Sequence, residues 1–126
     1  MTILDQILDH KKTELPGLKA SAPKFKTPEK KHSSLYETLI RANRLQVISE
    51  MKRASPSKGD IATHIDPVVQ ATQYEKAGAA CISVLTETKY FKGSYTDLNA
   101  VANAVNIPVL CKDFIIDEVQ IDYAKA

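Results

Sequence analysis

From about residue 45 onward the chain alternates between two hydrophobic periods, and this restricts its fold more than any other feature. QVISEMKRAS (46–55), ACISVLTE (80–87) and PVLCKDF (108–114) read as short strands, the second nearly continuous in apolar residues as a buried parallel strand is. Between them lie segments with apolar residues at helical spacing. Asp66 as cap and Pro67 at the first helical position open a helix running to Gly78. Ser94 and Asp97 cap another, with Leu98, Val101, Ala102 and Val105 on one face. Asp117 is placed to cap a third. The connections are short. A β-α-β-α-β-α order of this kind predicts a parallel sheet, in a doubly wound fold or in part of a (β/α)8 barrel.

Residues 1–45 read differently. Ile3, Leu4, Ile7 and Leu8 share one helical face over residues 3–12, Thr2 and Asp5 form a capping pair, and Pro16-Gly17 is expected to end the helix. Residues 18–32, with Pro23, Pro28 and several lysines, read as an exposed loop. A second short helix follows, capped by Ser34 and Glu37, with Leu35, Leu39 and Ile40 as its apolar face. The predicted division is therefore 1–45, a helical extension, and 46–126, three β-α units.

Composition removes several classes of function. With 44% hydrophobic residues and a net charge of +2 the chain has material for a core and is not expected to be disordered. No apolar run reaches membrane-spanning length, and Asp5 interrupts the apolar start, which argues against a signal peptide. Cys81 and Cys111 lie in apolar runs without metal-ligand spacing and read as small core residues, compatible with a reducing cytoplasm. The first 44 residues hold nine Lys+Arg against five Asp+Glu. No arginine-rich run or interleaved aromatics accompany them, so a solvated basic surface is expected rather than a nucleic-acid arm. His10, His32 and His64 all lie away from strand ends and read as surface residues.

Polar residues inside the strands carry the functional signal. Glu50 and Lys52 are two apart and share a face of the first strand. They are either an ion pair on a solvated edge or part of a polar site in which the carboxylate orients the ammonium. Lys112 lies near the C-terminal end of an apolar strand, where a lysine projects into a cleft and can act as acid, anion clamp or nucleophile. Ser55-Pro56-Ser57-Lys58-Gly59 has the small hydroxyls, glycine and cation of a phosphate contact, and equally of an ordinary turn; it lacks Walker spacing. No GxGxxG follows the first strand. Phe91 and Phe114 suit core or lid packing, or an apolar wall for an aromatic ligand.

SEMKRASPSKGDI (49–61), SVLTETKYFKGSYTDL (83–98) and IPVLCKDFIID (107–117) together resemble three consecutive motifs of the indole-3-glycerol phosphate synthase family. The resemblance covers essentially the whole chain. It implies a (β/α)8 barrel that converts 1-(o-carboxyphenylamino)-1-deoxyribulose 5-phosphate to indole-3-glycerol phosphate in tryptophan biosynthesis, releasing CO2 and water, without metal or organic cofactor. Carried over residue by residue, Lys112 matches the general acid at the ribulose carbonyl. Lys52 matches a lysine that contacts the substrate carboxylate and takes part in proton transfer, and Glu50 its acidic partner. Ser55 matches a phosphate contact. Pro56, Leu85, Phe91 and Phe114 match the wall around the anthranilate ring. The implied setting is cytoplasmic, and the implied partner is a phosphorylated small molecule, with neither nucleic acid nor membrane.

A (β/α)8 barrel takes about 250 residues. Three β-α units provide neither the family's glutamate base nor its asparagine nor its main phosphate grip, which the resemblance places on later strands. Three strands leave two unpaired edges and one uncovered sheet face. The chain alone is therefore expected to be inactive and to associate, with the remaining half of the fold or with itself. The alternative reading is a non-catalytic fragment or assembly remnant of the same fold.

Overall fold

A computed structural model describes residues 1–29 and 32–126. The elements in chain order are α1 (Ile3–Ala20), α2 (Leu35–Ile40), β1 (Ile48–Met51), β2 (Ala54–Ser55), β3 (Gly59–Asp60), α3 (Pro67–Lys76), β4 (Cys81–Leu85), α4 (Tyr95–Ala104), β5 (Val109–Lys112) and α5 (Val119–Lys125). No helix among the described residues is long and apolar enough to cross a membrane.

The sheet is parallel, in the order β1-β4-β5. Glu50 pairs with Ser83 and Met51 with Val84; Ser83 pairs with Leu110 and Leu85 with Lys112. The central strand β4 is buried along its length, which accounts for its almost unbroken apolar sequence. Met51, Ile82 and Val84 point toward the helices and pack with Ala71 of α3 and with Leu98, Val101 and Val105 of α4 and its cap. The alternate residues Glu50, Ser83 and Lys112 share the opposite face. β1 and β5 are edge strands among the described residues, and Ile48 and Leu110 on this second face are 45% and 41% exposed.

The caps follow the sequence. Asp66 Oδ1 accepts from the N–H groups of Val68 and Val69, and Ser94 Oγ from that of Asp97. Thr2 and Asp5 form a complete capping box, and Ser34 Oγ accepts from the Glu37 N–H.

Several local expectations are corrected. Pro16 does not stop α1, which continues to Ala20. Proline removes one donor from the helical ladder, and here that loss is outweighed by the packing of α1 against α5, including Tyr123, whose hydroxyl donates to the Leu18 and Ser21 carbonyls. The three strands are shorter than their apolar runs. The segment after β1 pairs with itself: Ala54 and Ser55 form an antiparallel ladder with Asp60 and Gly59, and Gly59 takes φ +63° in the turn. Asp117 is not the residue at the cap of α5; Glu118 is, without a side-chain bond, while Asp117 Oδ1 accepts from the Val119 N–H. Of the expected 18–32 loop, residues 30 and 31 lie outside the described residues. Leu39 and Ile40 are exposed, so the apolar face of α2 is not buried.

The basic extension is not wholly solvated either. Lys11 is 2% exposed, with its ammonium 2.8 Å from Glu14 Oε2 and 3.2 Å from Asp113 Oδ2. A buried lysine persists because two carboxylates replace its water. Among the histidines, His64 is exposed, whereas His10 and His32 are half-buried and lie at hydrogen-bond distance from Thr88 Oγ1 and the Val105 carbonyl.

Candidate active site at the strand ends

Parallel strands lined up by their hydrogen bonds present their C-terminal ends side by side, so residues far apart in sequence meet there. Glu50 is the junction. Its Oε1 lies 3.0 Å from Lys52 Nζ, and its Oε2 accepts from Lys112 Nζ at 2.8 Å and from Ser83 Oγ at 3.1 Å. One carboxylate thus joins two ammonium groups and a hydroxyl from all three strands. An edge-strand ion pair accounts for Glu50 and Lys52, but not for Lys112, which reaches Glu50 across β4.

Partial burial alone would raise the Glu50 pKa. The hydrogen bond from Lys112, then that from Lys52, with Ser83 adding to both, outweighs it and holds the carboxyl below its ordinary value. Glu50 is therefore ionised at neutral pH, and the cluster carries one net positive charge. Lys112 keeps 52% of its side chain exposed, so its ammonium is held yet reachable by a ligand. Such a site can bind an anionic group and donate a proton to an oxygen.

The aromatic residues also meet. The Phe91 and Phe114 rings lie 6.3 Å apart at 37°, both half-buried, although they come from the β4–α4 and β5–α5 loops. Leu85, buried, is the register partner of Lys112. Ser55 and Pro56 stand on the β2–β3 hairpin. Ser55 Oγ accepts from the Lys58 N–H at 3.2 Å and lies 3.5 Å from Ser57 Oγ, bonds that are internal to the hairpin. Arg53 ties the start of this hairpin to α4, pairing with Asp97 through both guanidinium nitrogens and donating to the Lys92 carbonyl at 3.3 Å.

Three contributors had no part in the sequence reading. Ser83 carried a signal, as the one hydroxyl residue in the apolar run CISVL. Glu87, fully buried, accepts from the N–H groups of Lys89 at 3.1 Å, Tyr90 at 2.7 Å and Phe91 at 3.0 Å. It shapes the loop that carries Phe91, and Gly93 closes that loop so tightly that a Cβ there would lie 1.9 Å from the Leu85 carbonyl oxygen. Asp113 accepts from Thr86 Oγ1 at 2.7 Å and from the Phe114 N–H at 2.7 Å. A separate cavity of about 680 Å³, bordered by Phe25, Tyr95, Leu98, Val109 and Tyr123, contains none of the Glu50, Lys52 and Lys112 cluster.

Consecutive parallel strands with their helices on one face and charged groups gathered at their C-terminal ends define the (β/α)8-barrel class, represented here by its first three units. A profile described as indole-3-glycerol phosphate synthase matches residues 4–126, and the chain belongs to that family. The indole-3-glycerol phosphate synthase of Oceanobacillus iheyensis is 53% identical over 125 residues, covering 99% of this chain and 48% of the relative. That of Exiguobacterium sibiricum is 51% identical over 126 residues, covering all of this chain and 48% of the relative. One from Bacillus cereus is 50% identical over 123 residues, covering 98% and 47%. The chain spans about half the length of the curated relatives it matches.

Proposed function

We propose that residues 46–126 supply the acid side of an indole-3-glycerol phosphate synthase site, with residues 1–45 as its extension. The observation that carries this reading is Glu50 joining Lys52 and Lys112 on the uncovered sheet face. In this reading Lys112 is the general acid that protonates the ribulose carbonyl of 1-(o-carboxyphenylamino)-1-deoxyribulose 5-phosphate as the ring closes. Lys52 meets the substrate carboxylate and takes part in proton transfer. Glu50 holds both ammonium groups in place while leaving the cluster positive. That charge complements a carboxylate, and also the charge left on the ring system when CO2 departs. Phe91, Phe114, Leu85 and Pro56 wall the aryl ring, and Ser55 contacts the phosphate. The setting is the cytoplasm.

The proposed reaction also needs a base and a full phosphate grip, for which no residue of these three units is offered. The two open edges and the uncovered face among the described residues fit completion by the remaining strands of the fold or, without them, self-association. A second reading, a remnant that keeps the fold without the chemistry, draws on the same open edges. One experiment separates the two. The chain is joined to the second half of the Oceanobacillus iheyensis relative, and turnover is followed by indole fluorescence. Turnover that falls about 10²–10⁴-fold in Lys112→Ala, the usual contribution of a general acid, supports catalysis. A well-folded hybrid without turnover supports the remnant. The 126-residue chain alone is expected to show none.

A further inference from the structure

Lys11 belongs to no part of the proposed chemistry, yet it is among the most deeply buried side chains of the protein. Its partners explain where its effect is felt. Asp113 lies between Lys112 and Phe114, and strand alternation turns it away from Lys112, toward α1. There its carboxylate receives the Lys11 ammonium at 3.2 Å and the Thr86 hydroxyl at 2.7 Å, and with its other oxygen fixes the Phe114 N–H at 2.7 Å. Glu14, the second partner of Lys11 at 2.8 Å, accepts from Thr88 Oγ1 at 2.5 Å. His10 lies 3.4 Å from the same Thr88 oxygen and packs edge-on against the Tyr90 ring. One turn of α1 is thus fastened to the loop after β4 and to the loop after β5. These are the loops that carry Phe91 and Phe114.

We propose that Lys11 is a positioning residue: through Asp113 and Glu14 it makes α1 a brace that sets the spacing of the Phe91–Phe114 cleft and so the fit of an aromatic ligand. The proposal rests on the function proposed above in assigning the aryl ring of the substrate to that cleft. The brace acts on the helix side of the sheet. The Lys112 ammonium is held on the other face by its bond to Glu50 at 2.8 Å, and its backbone by the strand ladder, where its carbonyl accepts from the Thr86 N–H at 3.0 Å. Loosening the brace therefore weakens ring binding while leaving the acid in place.

The test is Lys11→Met in the hybrid barrel described above. KM is expected to rise at least tenfold with kcat within threefold of the parent, and Lys11→Arg, which keeps the charge, to recover most of the loss. In the 126-residue chain itself, the nuclear Overhauser contact between the Phe91 and Phe114 rings is expected to disappear in Lys11→Met. Where Lys11→Met does not fold, the double variant Lys11→Met/Asp113→Asn removes both charges of the pair and carries the same expectation. Unchanged KM and ring contact in a folded variant overturn the proposal, as does a fall in kcat with KM unchanged. If the hybrid has no turnover with Lys11 intact, the function reading fails, and the ring contact alone decides on the brace.

Discussion

Replacing Glu87 by alanine removes a side chain that makes no contact with solvent and accepts three backbone N–H groups. The cost follows from what those donors do next. Lys89 is exposed, and its N–H can turn to water; Tyr90 and Phe91 are half-buried, and theirs lose their acceptor with little replacement. A donor left unsatisfied costs about 1–3 kcal/mol, so two of them place Glu87→Ala at about 2–4 kcal/mol once the relief of desolvating the carboxylate is allowed for. Glu87→Gln keeps the volume and one acceptor oxygen but turns an NH2 toward a third N–H, and about 1–2 kcal/mol is expected. Urea unfolding followed by circular dichroism checks both: at an m of about 1.5 kcal/mol/M, a loss of 3 kcal/mol moves the midpoint by about 2 M. Amide exchange at Tyr90 and Phe91 is expected to accelerate in both variants ahead of that at Val84 and Val101. A midpoint shift below about 0.3 M for Glu87→Ala, or a larger loss for Gln than for Ala, refutes the reasoning.

Gly93→Ala is expected to be at least as damaging, because its Cβ would have to displace the Leu85 carbonyl, and a thermal transition unchanged from the parent contradicts this. The pH dependence has two limbs. For Glu50 and Glu14 burial raises the pKa, but the Lys112 bond at Glu50 and the Lys11 bond at Glu14 outweigh it, so both are held low. Their stabilisation is present above the ordinary carboxylate range near 4.5 and lost as pH falls through the lower folded values. Burial opposes the charged form of Lys11, but Glu14 and then Asp113 raise its pKa above 10.5, and burial raises that of Tyr95 above 10.0. Stability from both is present below those unfolded values and lost as pH rises beyond them. Urea midpoints taken between pH 3 and pH 11 are expected to form a plateau falling at both ends, and an acid limb unchanged in Glu50→Gln contradicts the first assignment. In sedimentation the chain is expected to associate, and Ile48→Lys or Leu110→Lys, which place a charge at each open edge, to shift it toward monomer.

Periodicity made the elements of the sheet and its flanking helices legible because each depends on near neighbours. Asp66-Pro67 and Ser94 start helices by bonds within three residues, and β4 is read as a buried strand from its own apolar run. Structure departs from local pattern where a distant partner decides the outcome. Tyr123 and the rest of α5 hold α1 beyond Pro16. The bonds between Ala54–Ser55 and Gly59–Asp60 turn part of an apparently continuous first strand into a hairpin. Lys11, which in sequence is one cation in a basic stretch, is buried between Glu14, three residues on, and Asp113, which lies 102 positions further on and which no local pattern announces.

The two faces of the sheet explain why the site divides in the same way. On the uncovered face, Glu50, Lys52 and Lys112 are polar residues in apolar strands, a conflict visible in one dimension, and register then brings them together. Ser83 does not stand out, because one serine barely disturbs an apolar run, although it is the residue that lets Glu50 extend across β4 with its oxygen bonded. Beyond the strand ends, Thr86, Glu87 and Asp113 stand where polar residues are ordinary, so nothing in their order distinguishes a buried acceptor from a solvated one. Their common feature is that each satisfies backbone or side-chain groups in the loops carrying Phe91 and Phe114. The groups proposed to meet the substrate stand out by breaking the strand pattern; the groups that hold those loops in place conform to it and become visible only when the burial of each carboxylate is matched to the donors around it.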